Sequence, residues 1–353
     1  MDLSKLTKED IIYILKSTNT NLSESLFKKA FETKVASIGN KVYLRGLLEL
    51  SNICRKNCLY CGLRNANNNV IRYELNEKTA LDCIKYAYEK NYGSIAIQAG
   101  ERSDTKFLNK ISHIVKEAKN LSDGKLGITL SLGEQSKATY EDWFAAGAHR
   151  YLLRIESSNP DLYRKLHPNN NLHSYDTRLK ALFNLKDIGY QTGTGVMIGV
   201  PFQTEENMAE DLQFLKEFDI DMVGMGPYIP HEETPLTQMC LSSGGKISFP
   251  STEKRLELSL KMIATLRMIM TDINIVASTA MQSLHPEGRE MAINAGANVV
   301  MPNITPYSFR EKYLIYQNKP NLHEDINLKG VEIGYGEWGD SKHFGRKTHC
   351  DTE

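Results

Sequence analysis

The sequence predicts an α/β fold, a complete (β/α)8 barrel of the TIM type spanning residues 41–316. Three observations lead there. Eight short apolar or β-branched runs recur along the chain, segments of helical period alternate with them, and polar or unusual residues gather just after the runs. In a parallel barrel the C-terminal strand ends form one face, and chemistry belongs on that face. Residues 1–40 read as a helical extension covering the bottom or side of the barrel, and 317–353 as a C-terminal extension.

The N-terminal stretch MDLSKLTKEDIIYILKS mixes acids and bases and has no apolar core of a secretion signal. It reads as a helix with Thr7 as N-cap and Ile11, Ile12 and Leu15 on one face. The first strand is 42–50 (VYLRGLLEL), and a helix over 77–91 follows, with Ala80, Leu81, Ile84 and Ala87 in amphipathic register. Cys83 falls in that register and reads as a small buried thiol. Strands at 94–98, 127–132 and 150–155 alternate with helices at 105–120 and 138–146. Ser174 caps a helix at 174–188, strand 192–199 follows, and Thr204 caps a helix at 204–218 with Met208, Leu212, Leu215 and Phe218 on one stripe. Strand 222–227, helix 252–270, strand 274–278, helix 286–295 and strand 298–302 complete the alternation. The competing architecture, an open doubly wound sheet, would carry a dinucleotide fingerprint. The glycines at 193, 195 and 199 have the wrong spacing for one and sit inside a strand.

Composition narrows the function. Lys and Arg number 43 and Asp and Glu 43, so no basic field exists to attract nucleic acid. No run of about 18 apolar residues occurs, so no membrane span is expected and cytoplasm is the default location.

Six cysteines are present, three of them within eight residues as Cys54-x3-Cys58-x2-Cys61. In a reducing compartment such clustering points to metal rather than to disulfides. Three thiolates on one loop can each bind an iron of a cubane and leave the fourth iron open to a small-molecule chelate. Structural zinc would want a fourth ligand. His149, His167 and His173 are available but show no paired ligand spacing. After the other strands come Gln98-Ala-Gly-Glu101, Ser131-Leu-Gly-Glu134, Glu156, Gly199-Val-Pro201, Pro227 to His231, Ser278 to Met281, and Pro302-Asn303.

The cysteine triplet, with Tyr60 before its last member, resembles the signature of the radical S-adenosylmethionine (SAM) superfamily. The stretches RGLLELSNICRKNCLYCGLR, TLSLGE, RYLLRIE, LYRKLHP, GTGVMIGVPFQT, DMVGMGPYIPH, STAM and GANVVMPNITP are similar to the HydE family of [FeFe]-hydrogenase maturases, over roughly residues 40 to 316. That family is akin in fold to biotin synthase and methylornithine synthase. The resemblance implies a [4Fe–4S] cluster on Cys54, Cys58 and Cys61 and SAM as its partner cofactor. It implies SAM contacts from Tyr60, Gly100, Glu101, Glu156, Arg178, Gly195 and Met197. It further implies a cysteine-bound iron carbonyl cyanide substrate delivered by the maturase HydG, a product passed toward the scaffold HydF, and a low-potential electron donor. Such an anion wants buried donors and positive charge. Candidates are Arg154, Gln98, Thr129, Ser131, Ser278 and Thr279, with Met225, Met301, Tyr313 and Tyr316 as further lining.

Plainer readings stand beside these. Glu101 can be a solvated carboxylate, Glu156 and Arg178 a surface ion pair, and Thr129 and Ser131 ordinary strand alternation. Met225 and Met301 can be core, and Tyr313 and Tyr316 surface helix residues. Residues 317–349 contain no cysteine, so no accessory cluster is expected, and the tail GRKTHCDTE reads as disordered. Other functional readings are a methylornithine synthase- or biotin synthase-like radical enzyme, a non-catalytic iron–sulfur scaffold, and a zinc-stabilised hydrolytic barrel.

Overall fold

The computed structural model describes residues 3, 5–317, 328 and 330–350, the last three of these as backbone only. Helix α1 (Lys8–Lys16) begins where the sequence caps it, with Thr7 and Asp10 in a reciprocal capping box. Its buried face is Ile11, Ile14 and Leu15, with Ile12 half-buried at the edge. Helix α2 (Thr20–Ile38) buries Leu26, Ala30, Lys34 and Ile38, one residue per turn. That stripe is too thin to announce itself as an amphipathic pattern, and the buried Lys34 breaks it further. Its ammonium donates to Ile293 O, and burial lowers its pKa to about 8.

The strands follow: β1 (Lys41–Ser51), β2 (Ser94–Ala99), β3 (Gly127–Ser131), β4 (Arg150–Leu152), β5 (Gln191–Thr194), β6 (Met197–Ile198), β7 (Met222–Val223), β8 (Gly226–Pro227), β9 (Asn274–Ile275) and β10 (Val299–Val300). They form a curled parallel sheet in the order β10-β1-β2-β3-β4-β5-β7-β9, with β6 paired to β8 in a short second ladder. Between the two ends of that order lies one parallel bridge, Val276 to Val299, where Ala277 N donates to Val299 O. The two expected strands 192–199 and 222–227 are thus each broken in two. Gly195 and Gly224 stand at the breaks, so close that a Cβ on Gly195 would lie 2.1 Å from Gly224 O.

Between the strands run α3 (Glu77–Glu89), α4 (Thr105–Leu121), α5 (Lys137–Ala145), α6 (Pro160–Leu166), α7 (Tyr175–Ile188), α8 (Glu205–Glu217), α9 (Pro235–Ser242), α10 (Thr252–Ile269), α11 (Thr279–Leu284) and α12 (Gly288–Asn294). Ile95, Ile97, Ile128, Leu130 and Tyr151 point from the strands into this helical layer and are fully buried. Helix α1 packs on α8 and α10, and α2 on α10 and α12, so the N-terminal segment covers the side of the fold.

The N-terminal strand ends are closed by the C-terminal segment. After the short α13 (Tyr307–Arg310), strand β11 (Glu332–Gly334) adds to β1 in parallel. Beyond it Gly339 O accepts from Arg45 and Asn274, Trp338 O and Asp340 accept from Arg150, and Ser341 N donates to Gln191. Helix α14 (Lys342–Cys350) then docks through Lys347 on Asp219 and Asp221, and through His343 on Asp219 and Asp272. This corrects the expectation of a disordered tail: Gly345 to Cys350 are helical, because those ion pairs supply what local sequence does not. The final three residues lie outside the described ones.

Candidate active site

At the opposite end, the C-terminal strand ends carry the loops that build the site. The loop from β1 to α3 holds the cysteines and is stapled by two side chains. Asn52 donates to Ile71 O and Lys312 O and accepts from Tyr73 N. The Arg72 guanidinium reaches four carbonyls, those of Asn52, Leu63, Arg64 and Asn67. A loop so pinned carries its side chains in defined positions before any ligand binds.

Cys54, Cys58 and Cys61 are half-buried on this loop and face one cavity. Burial pushes the Cys58 thiol up to about 12, and the other two upward as well. Protons therefore stay on these sulfurs at neutral pH unless a metal displaces them. Main-chain N–H groups of Glu101 and Lys56 lie 3.3 and 3.4 Å from Cys54 Sγ. Gly100 lets the second strand's loop close here: a Cβ would sit 2.3 Å from Ile53 O and 2.7 Å from the Cys54 Cβ. Among the described residues no three His, Cys, Asp or Glu side chains converge as ligands of a single ion. A cubane asks for something different, each thiolate on its own iron. The donor set of this loop, three thiols with amide donors at one sulfur, fits such a cluster with one open corner.

Glu101 is only 4% exposed. Its carboxylate accepts from Arg55 Nε at 2.9 Å and from Glu134 N at 2.8 Å, which ties together the loops after β1, β2 and β3. It is no solvated surface acid. Glu134 is buried too. Burial alone would raise its carboxyl, but Arg178 and Lys56 beside it hold it below the usual carboxylate range. Arg178 also donates to Arg154 O and stands on the cavity wall.

Glu156 has φ +67, a left-handed backbone that is costly outside glycine and tends to mark functional positions. It is held there because its N–H donates to Gly195 O while its carbonyl accepts from Met197 N. The carboxylate reaches into the cavity, 3.0 Å from Arg154. The plainer reading of Glu156 and Arg178 as a surface ion pair is therefore not what forms. Each has its own partner, Arg154 and Glu134, and both are buried. Tyr60 lies across the mouth, its hydroxyl 3.3 Å from His167 Nε2. Burial lowers His167 to about 3. The neutral ring donates from Nδ1 to Tyr163 O, leaving Nε2 to accept from Tyr60. Met197 packs in a satellite cluster with Leu166, Val200, Tyr228 and Leu236, beside Tyr60.

The cavity encloses about 360 Å³, within the range of small-ligand sites. Besides the cysteines it is lined by Tyr60, Gly100, Glu101, Glu156, Arg178 and Met197, and by Gln98, Ser131, Arg154, Ser278, Thr279, Met301, Tyr313 and Tyr316. Tyr313 is buried and Tyr316 half-buried, so neither is a surface helix residue. Three of the expected residues do not line it. The Thr129 hydroxyl accepts from Arg150 Nε in the polar layer near the N-terminal strand ends. Met225 is fully buried in the main core. Gly195 supports the wall through its contact with Gly224. Several lining residues were not assigned to the site from the sequence, Lys56 and Glu49 among them. Glu49, 1% exposed, follows Leu47 on the same face of β1, and strand alternation was the available signal. Glu134 and Arg72 were also missed as site residues, since only the fold shows what they touch.

The model of the Radical SAM superfamily matches residues 48–215. The chain is 42% identical to the [FeFe] hydrogenase maturase subunit HydE of Thermotoga maritima, over 97% of this chain and 96% of that protein. It is 27% identical to the 3-methylornithine synthase of Methanosarcina barkeri, covering 93% of this chain and 87% of the relative. Among solved structures, methylornithine synthase PylB superposes with TM-score 0.73 at 23% identity, covering 99% of this chain and 96% of that one. HydG of Carboxydothermus hydrogenoformans superposes with TM-score 0.71 at 21% identity, over 84% and 67% respectively. Those two structural likenesses speak to the fold. No helix among the described residues is long and apolar enough to cross a membrane.

Proposed function

Because this chain belongs to the HydE family of radical SAM enzymes, which use a [4Fe–4S] cluster and SAM, we propose that it is a maturase of the [FeFe]-hydrogenase diiron site. Its substrate on this reading is a cysteine-bound iron carbonyl cyanide complex, supplied by HydG and passed on toward HydF. A low-potential donor provides the electron. The observation that carries the proposal is a single cavity lined together by the three cysteines and by Arg154, Gln98, Ser131, Ser278 and Thr279.

When bound at Cys54, Cys58 and Cys61, the cluster would supply the electron that cleaves SAM to methionine and a 5′-deoxyadenosyl radical. The protein's part is orientation and exclusion of water. Arg178, already anchored by Glu134, presents its guanidinium on the cavity wall for SAM's carboxylate, and Glu156 offers its carboxylate to ribose hydroxyls. Tyr60 and the apolar group around Met197 would cover the adenine. Arg154 and the inner hydroxyl and amide groups would pair with an anionic, cyanide-bearing guest, for which low local polarity makes each contact count. We further infer that the curled sheet closes as a complete eightfold barrel around this cavity, a reading supported by the Val276–Val299 bridge.

The test is anaerobic reconstitution followed by dithionite, SAM and a synthetic cysteine-bound Fe(CO)2CN complex. Production of 5′-deoxyadenosine and consumption of the complex are expected, and Cys58→Ala should abolish both. Cleavage of SAM with no change in the complex would refute the substrate. An intact cluster without cleavage would favour a non-catalytic scaffold.

A further inference from the structure

Within Cys54-Arg55-Lys56-Asn57-Cys58 the residues between the cysteines are spacers as far as cluster geometry is concerned. Lys56 is nonetheless buried, its side chain 4% exposed. Its ammonium lies 2.9 Å from Glu134 Oε2 and 3.4 Å from Glu101 Oε1, and it also donates to Leu172 O. Glu134's other oxygen holds Arg178, and Glu101's other oxygen accepts from Glu134 N. Lys56 is thus the central cation of a closed network linking the cysteine loop to the loops after β2 and β3 and to Arg178 on α7.

Burying an ammonium between two carboxylates is costly unless every partner is in place, and apolar packing would anchor a loop as well or better. The location suggests a second use. Lys56 also lines the same cavity as the three cysteines and presents its main-chain N–H to Cys54 Sγ at 3.4 Å. Nearby net charge and hydrogen bonds to the sulfurs are what set a cluster's reduction potential.

We propose that Lys56 is a positioning residue for the iron–sulfur centre: clamped by Glu134 and Glu101, it holds the loop so that main-chain N–H groups face Cys54 and its buried charge favours the reduced cluster. This rests on the assignment of Cys54, Cys58 and Cys61 as cluster ligands. The added electron makes the cluster more negative, so a fixed cation beside it stabilises the reduced form more than the oxidised one.

Lys56→Met, Lys56→Arg and the charge-balanced Lys56→Met/Glu134→Gln proteins, reconstituted without oxygen, are compared by iron content and by redox titration followed by electron paramagnetic resonance. The methionine variant should show a roughly tenfold smaller equilibrium constant for reduction, 59 mV for a one-electron couple. Lys56→Arg and the double variant should stay within about threefold of the parent, which a purely structural anchor would not require. Full iron in Lys56→Met with an unshifted midpoint overturns the proposal. So does a double variant that loads iron and titrates as far down as the tenfold shift, a measurement that decides the matter if the single variant fails to fold. A parent protein that assembles no cubane sinks the cysteine assignment itself, a separately visible result.

Discussion

Replacing Gly100 by alanine puts one methyl group into the joint between the second strand's loop and the cysteine loop. The added carbon would lie 2.3 Å from Ile53 O and 2.7 Å from the Ile53 carbonyl carbon and the Cys54 Cβ, where ordinary contact begins near 3.4 Å. Its nearest neighbours are largely main chain, so no flexible side chain can swing aside, and the Ile53–Cys54 backbone has to retreat by about 1 Å. Overpacking of this kind costs about 1–3 kcal/mol. The displaced residue is the first cysteine, whose sulfur now receives N–H bonds from Lys56 and Glu101. A misplacement of about 1 Å at such a position lowers turnover by roughly 100-fold. Urea denaturation of the metal-free protein reads the first effect. Iron per chain after reconstitution and the rate of SAM cleavage read the second. Gly345→Ala is the control: it sits in α14 with nothing within 4 Å of the new carbon, and should gain up to about 1 kcal/mol from helix propensity. If Gly100→Ala matches the parent within about 0.5 kcal/mol and retains full iron and full turnover, the steric reasoning about this loop is wrong.

Three further outcomes are expected. Glu156→Gln keeps the shape but removes the charge, so SAM affinity of the reconstituted protein should fall about 10- to 100-fold, from the roughly 1.5–3 kcal/mol of a charged hydrogen bond. Equilibrium dialysis checks this, and an unchanged affinity would remove Glu156 from the SAM site. Asp340→Asn strips a carboxylate from the fully buried Arg150; because Asp340 is 42% exposed, the cost should be about 2 kcal/mol rather than the about 3–5 of a wholly buried pair. Adding Arg150→Met should recover part of it, and a urea midpoint unmoved by Asp340→Asn would show that this pair does not hold the C-terminal segment. Burial, aided by neighbouring cations, lowers His149 to about 4 and His167 to about 3. The unfolded chain, with histidine near 6.5, therefore binds more protons between about pH 4 and 6.5. Stability should rise with pH across that window by up to about 1.4 kcal/mol per unit for each ring, and be lost as pH falls. A His149→Gln/His167→Gln protein should show a flatter profile; an equal slope would refute the assignment.

Much of the site was legible because it is local. Cys54, Cys58 and Cys61 share one loop, so their spacing offers three anchors, and the family resemblance implies a cluster on them. Gln98, Glu101, Ser131, Glu156 and Ser278 follow apolar runs, and any parallel barrel sends such residues to one face. Other features depended on neighbours distant in sequence. Thr129 was expected in the cavity with Ser131, two residues on and on the same strand face. It lies one layer lower, with Arg150 on its hydroxyl. Glu49 obeys the same alternation and does face the cavity. The Lys34 of α2 hid its helix by looking like a solvated residue, when its ammonium meets Ile293 O across 259 positions.

The division has a physical basis. Hydrophobic period, capping and cysteine spacing act within about a dozen residues, so sequence by itself determined the alternation of strands and helices, the end of the sheet where the strand-end polar residues gather, and the cysteine loop. Ion pairing and steric closeness act between segments that only the folded chain brings together. Tertiary structure alone decided that Lys56 and Arg178 share Glu134, that Glu156 is forced into a left-handed backbone beside Gly195, and that residues 338–341 close the N-terminal strand ends on Arg45 and Arg150. Each of these joins residues tens to hundreds of positions apart, where a string of letters carries no distance.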